Sequence, residues 1–192
     1  MMDYFMRYLK KNSIKLAFIT IIFFSIHANS MDQRIETKDI KLDFERGHYF
    51  LSYQQSIFLL SAAREALSRG IPFHFTIRAK ISQKGKYGFI SNLILSKESN
   101  FQLKYKNLLK KYMVSDINGQ KSYFNKLEDA LNKLSYIKKW NIGSSIELKE
   151  GTLELKTKLD KKYLPKALQI NFNDKSWDVE SNLIKYDIGK LN

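Results

Sequence analysis

The feature that most restricts the fold is an unbroken alternation between positions 71 and 81. Ile71, Phe73, Phe75, Ile77, Ala79 and Ile81 fill the odd positions, while His74, Thr76, Arg78 and Lys80 lie between them. Successive side chains of a strand point to opposite faces, so this order buries one row and wets the other. A helix would scatter the same residues around its axis. The stretch is therefore expected to be a half-buried strand.

Weaker versions of the pattern recur. Ile40, Leu42 and Phe44 alternate with charged residues, and Tyr49 to Phe58 is rich in aromatics. Tyr87 to Leu95, Phe101 to Lys106 and Leu108 to Val114 read as further strands. Ile146 with Leu148, Leu153 to Leu159, Leu168 to Phe172, and Trp177 with Val179 complete the set. Turns are expected at Gly47-His48, between Gly85 and Gly88, at Asn118-Gly119, at Glu150-Gly151 and at Asn173 to Lys175. Two segments break the alternation. In Ser61 to Gly70, Ser61 is placed to cap a helix, Gly70 to end it in the left-handed region, and Pro72 to stop it continuing. From Asn125 to Ile137, Leu127, Ala130, Leu131, Leu134 and Ile137 recur at helical spacing. The expected fold is mainly β: an antiparallel β-sandwich or curved sheet with two short helices.

The first 30 residues follow a different rule. Arg7, Lys10, Lys11 and Lys15 precede an apolar run from Leu16 to Ile26, and Ala28 and Ser30 are small residues two apart. That order is the pattern of a cleavable secretory signal. The run is about half of the ~20 residues needed to span hydrocarbon, so a permanent anchor is the weaker reading. Residues 31–192 are then one β-rich domain, expected in the periplasm and without a membrane span after cleavage. The chain has no cysteine, which excludes disulfides, thiolate metal sites and a cysteine nucleophile.

The formal charge is +14. The leader holds four Lys/Arg and Asp3, leaving +11 on the domain. Such an excess favours anionic partners: phospholipid or lipopolysaccharide head groups, nucleic acid or an acidic protein. A genome that favours lysine wherever a polar residue will do explains it equally well. No phosphate-loop or dinucleotide glycine motif occurs, and nucleic acid is not the expected partner. No HExxH, HxH or G-x-S-x-G pattern occurs either, so no catalytic residue, metal site or cofactor is expected. His48 and His74 read as structural or solvated. The pairs Arg78 and Lys80, Lys104 and Lys106, and Lys156 and Lys158 each project from one side of a strand. In a common sheet they would make a strongly basic wet face, extended by Lys110, Lys111, Lys138 and Lys139. The competing explanation is a solvated face whose lysines guard the strands from aggregation.

Four segments carry a resemblance: Ala66-Leu67-Ser68-Arg69-Gly70-Ile71-Pro72-Phe73-His74-Phe75; Phe101 to Tyr112; Tyr123 to Leu131; and Lys158-Leu159-Asp160 with Leu164-Pro165 and Trp177. In that order they resemble a proteobacterial envelope family of unknown function, number 4390. Lys158 stands where that pattern has arginine, and residues 83–88 lack its basic–tryptophan cluster. The resemblance implies a signal peptide, a periplasmic location and a link to a membrane sensor kinase, with no catalytic residues to carry over. Within it, Gly70, Pro72, Leu127, Leu131, Pro165 and Trp177 read as scaffold. The expected role is non-catalytic recognition of an anionic envelope component, with a sensor-kinase partner or a hydrolase with a dispersed site as alternatives.

Overall fold

A computed structural model describes residues 35–84, 91–169 and 177–190. The strand expected around Phe73 is the centre of a six-stranded antiparallel sheet. Strands β1 (Ile35–Glu45), β2 (His48–Ile57) and β7 (Tyr136–Ser144) form a smaller sheet in the order β1-β2-β7. The larger sheet runs β6 (Lys121–Phe124), β5 (Lys111–Ser115), β4 (Ser91–Lys106), β3 (Phe73–Lys84), β8 (Thr152–Leu159) and β9 (Ile184–Asp187). Helix α1 (Ser61–Ser68) links the sheets, α2 (Leu127–Leu134) precedes β7, and the single turn α3 (Lys166–Gln169) follows β8. The fold is thus mainly β, with two antiparallel sheets and three short helices. No helix among the described residues is long and apolar enough to cross a membrane.

The odd row of β3 makes the core. Phe73, Phe75, Ile77, Ala79 and Ile81 are all buried, joined by Phe101 and Leu103 from β4 and Leu153, Leu155 and Leu159 from β8. The Phe75 ring stacks on Phe101 at 4.9 Å, and Trp177 meets Phe73 edge-on at 6.2 Å. Leu42, Leu51, Tyr53 and Trp140 of the small sheet, and Leu127, Ala130, Leu131 and Leu134 of α2, belong to the same cluster. Residues 179–181 tie the sheets together. Ile35 N–H donates to Glu180 C=O (3.2 Å), Ser181 N–H to Thr157 C=O (2.8 Å), and Leu159 N–H to Val179 C=O (2.7 Å).

Gly70 ends α1 at φ +91°, as its position predicts, and a Cβ there would sit 3.3 Å from Asn107 Nδ2. That close approach lets the helix end lie against the β4–β5 hairpin, and Pro72 then releases the chain into β3. Other expectations need correction. Ser61 is the first helical residue rather than the cap; Leu60 holds the cap position without a side-chain bond. From Ser91 on, the two strands read at Tyr87 to Leu95 and Phe101 to Lys106 are one strand, β4, carried through the polar stretch Ser96 to Asn100 by pairing with β3. Leu108 to Lys110 form a turn, and β5 starts at Lys111. The second helix stops at Leu134. Ile137 belongs instead to β7, a strand not anticipated, while Ile146 and Leu148 lie in the loop after it.

The reason is local. Lys139 has φ +45°, and the β2–β7 register shifts between Leu51 and Tyr53. This irregularity spaces the buried Ile137 and Trp140 by three, which imitates a helical period. Pro165 leads not into a strand but into α3, where Leu168 N–H donates to Pro165 C=O at 2.8 Å. Leu164 before the ring is extended, and it is buried. Trp177 and Val179 are buried but form no extended ladder, and β9 was not read from the sequence. The expected leader over residues 1–30, the turn between Gly85 and Gly88, and the strand end and turn over 170–176 lie outside the described residues.

Two tyrosines of β2 separate structure from strain. Tyr49 Oη accepts from Leu148 N–H at 2.7 Å and donates to Ile146 C=O at 3.3 Å, pinning the loop after β7. Tyr53 Oη is buried near Thr157, yet neither hydroxyl makes a well-formed hydrogen bond. Burial pushes the Tyr53 hydroxyl far above the ordinary tyrosine range. Tyr49→Phe leaves a buried N–H without its acceptor and should cost about 1–3 kcal/mol in chemical denaturation. Tyr53→Phe removes an unpaired group and should be neutral or stabilising in the same measurement.

Candidate functional site

The even row of β3 is left on the outer face, and its neighbours are set by register. Thr76 lies between Asn100 of β4 and Lys158 of β8, Arg78 between Glu98 and Lys156, and Lys80 between Ser96 and Glu154. A groove of about 280 Å³ runs over these residues. Its lining includes four cations, Arg78, Lys80, Lys156 and Lys158, and two carboxylates, Glu154 and Glu180.

The acids are already engaged. Arg78 bridges to Glu98, Lys156 Nζ to Glu180 Oε1 at 3.1 Å, and Lys185 Nζ of β9 to Glu154 Oε1 at 3.1 Å. These partly exposed pairs each add only about 0–1 kcal/mol to stability. Their geometric effect is to fix the bridged heads at the groove. Among the described residues, Lys80 and Lys158 have no carboxylate within ion-pair distance. The groove therefore holds two bridged cations and two unbridged ones, and includes Thr76, whose hydroxyl donates to Asn100 Oδ1 at 2.9 Å.

Only part of the expected basic face converges here. Lys104 shares the outer face but lies four residues beyond Asn100, about 13 Å along β4. Lys106 is farther, directly opposite Lys111 in the β4–β5 register. Lys138 and Lys139 belong to the small sheet, where Lys139 bridges to Glu45 at 3.1 Å, and so cannot extend this face. The outer face is also mixed in sign rather than uniformly basic, because Glu98, Glu154 and Glu180 interleave with the cations. Alternation reveals which way a side chain points, but not which residue of the next strand stands beside it. That is why these acids, and the polar group at the end of the face, escaped the sequence reading.

That polar group centres on His74. Gln102 Nε2 lies 2.9 Å from His74 Nε2, and the Tyr163 ring covers the imidazole at 4.4 Å with a 33° tilt. Asp160 N–H donates to His74 C=O at 2.7 Å. Lys162 bridges to Asp160 at 2.9 Å while its Nζ sits 4.8 Å over the Tyr163 ring. Desolvation lowers the His74 pKa, outweighing the nearby Asp160 charge. Burial opposes ionisation of Asp160, but bonds from the Lys162 ammonium and backbone N–H hold its carboxyl below the usual value. Neutral His74 then accepts from the Gln102 amide, which places its proton on Nδ1. His48, at the start of β2, faces Asn141 Nδ2 at 3.4 Å. The described residues contain no group of three or more potential metal ligands.

The sequence pattern named Domain of unknown function (DUF4390) matches residues 32–187. The chain belongs to this family. No curated protein and no solved structure matches it. The DUF4390 match takes in every described strand, both outer-face strands of the groove and the whole His74 cluster.

The cluster gives the DUF4390 domain a pH signature. The unfolded chain protonates His74 near pH 6.5, whereas the folded domain resists protonation until lower pH. The unfolded state thus binds more protons in that window, so stability is full above about pH 6.5 and falls as the solution is acidified through it. An NMR titration should place the His74 midpoint below 6.5, and Tyr163→Ala should raise it by letting water reach the ring. A midpoint at or above 6.5 would contradict the geometry.

Proposed function

We propose that this chain is an exported, non-catalytic recognition module that binds an anionic group in the outer-face groove. The observation that carries the reading is the convergence of Arg78, Lys80, Lys156 and Lys158 from two adjacent strands, with Lys80 and Lys158 unbridged among the described residues. Ammonium and guanidinium groups lining one groove suit a phosphate or carboxylate head group. A volume of about 280 Å³ suits one such head group rather than a chain of them. Export is supported by the leader pattern and by the family match starting at residue 32, just past the proposed cleavage after Ser30. The proposed site of action is the periplasm. Against a hydrolytic role, the His74 imidazole is already engaged by Gln102 and covered by the Tyr163 ring.

The test combines location and binding. A C-terminally tagged protein should be recovered by osmotic shock, begin at Met31 by mass spectrometry, and show saturable amide shifts at Arg78, Lys80, Lys156 and Lys158 when titrated with inorganic phosphate. Lys156→Glu with Lys158→Glu should weaken that binding by tenfold or more. Reversing a charge at contact distance is worth about 2 kcal/mol even in water. Raised salt should weaken the wild type as well. Retention in the cytoplasm, or shifts that never saturate, would overturn the proposal.

A further inference from the structure

The β4–β5 hairpin ends in a tip unlike the other turns among the described residues. Lys106 stands opposite Lys111, and Asn107, Leu108, Leu109 and Lys110 close the turn. Leu109 N–H donates to Lys106 C=O at 3.0 Å and Lys110 N–H to Asn107 C=O at 3.3 Å, so the turn is built by its own backbone bonds. Yet Leu108 is 100% exposed and Leu109 57% exposed. Single exposed apolar residues are ordinary; two adjacent leucines at the summit of an ordered hairpin are not.

The charges around the tip are of one sign. Between Phe101 and Ser115 the chain has Lys104, Lys106, Lys110 and Lys111 and no acid. None of the four has a carboxylate within ion-pair distance among the described residues. Elsewhere the sheet interleaves acids with its cations; here it does not. Lys110 also adopts φ +50°, where glycine or asparagine would be least strained. Behind the tip, Tyr105 and Tyr112 form a ring pair at 4.8 Å, both partly exposed. Gly70 packs against Asn107 and the Tyr105 carbonyl, which braces the hairpin on the rest of the domain.

We propose that the Lys106–Lys111 hairpin tip docks on an anionic bilayer surface, with Leu108 and Leu109 entering the acyl boundary and the lysines meeting lipid phosphates. Apolar side chains leading, cations behind them and tyrosines at the rear follow the polarity order of a membrane interface. A protein partner would need a matching acidic pocket for two leucines, whereas an anionic bilayer supplies both layers unaided. The proposal does not rest on the groove, which lies about 25 Å away along β4.

The chain has no native cysteine, so one introduced thiol reports one position. The full tagged protein carrying Leu108→Cys is labelled with an environment-sensitive fluorophore and mixed with phosphatidylglycerol/phosphatidylcholine vesicles. The label should shift to the blue and become shielded from aqueous quenchers, less so at high salt and little on pure phosphatidylcholine. A label on Asn118→Cys, at the β5–β6 turn on the opposite end of β5, should not respond. Lys106→Gln with Lys110→Gln and Lys111→Gln should weaken vesicle binding by about a hundredfold, near fivefold for each lysine. Lys156→Glu with Lys158→Glu should leave the label response intact, which separates this proposal from the groove reading. No response at position 108, an equal response at 118, or equal binding to neutral vesicles would overturn it. So would tip substitutions that disrupt only the capture of an envelope protein.

Discussion

Everything in this molecule depends on the burial of one row of side chains. Phe73, Phe75, Ile77, Ala79 and Ile81 are sealed between the sheets, and each fully buried large side chain contributes about 1.5–3 kcal/mol relative to exposure. Because side chains alternate along a strand, sealing that row forces His74, Thr76, Arg78 and Lys80 outward in a line. A slip of one residue would put Arg78 and Lys80 into the core, at a cost the fold could not bear. The polar face is thus a consequence of the core, and both neighbours of β3 are held in register by the same apolar packing.

From that line the two candidate surfaces diverge. Near the middle of β3, cations from β3 and β8 share a groove with acids that bridge to them, giving a local site with its own hydroxyl and defined edges. Toward the far end of β4 the acids cease, the lysines crowd, and the chain projects two leucines into solvent. The first arrangement suits one compact anionic group. The second suits an extended anionic layer with an apolar interior. Both fit a protein of the envelope, where phosphorylated head groups and bilayer surfaces are neighbours.

What could be read from the sequence followed from how locally it was encoded. The β3 alternation and the Gly70-Ile71-Pro72 corner need only their own residues, and both are found as expected. The β7 strand was hidden because the turn in its backbone at Lys139 disguises period two as period three. The polar run Ser96 to Asn100 has no apolar signal of its own and is a strand only because β3 pairs with it. For the same reason the six candidate cations could be assigned to a face but not to a neighbourhood. Register placed Lys156 beside Arg78 and Lys158 beside Thr76, and sent Lys104 and Lys106 toward the hairpin. The ion pairs and the His74–Tyr163 stack arise from contacts between distant segments, which no local pattern announces.

The most direct measurement is the chemical accessibility of neighbouring positions in β3. In a chain without cysteines, Ile77→Cys and Arg78→Cys each present one thiol. The structure predicts that a maleimide reacts rapidly with the native Arg78→Cys protein and with the Ile77→Cys protein only after unfolding. Equal reactivity at the two positions, or protection at 78 with exposure at 77, would contradict the strand orientation on which the whole account stands.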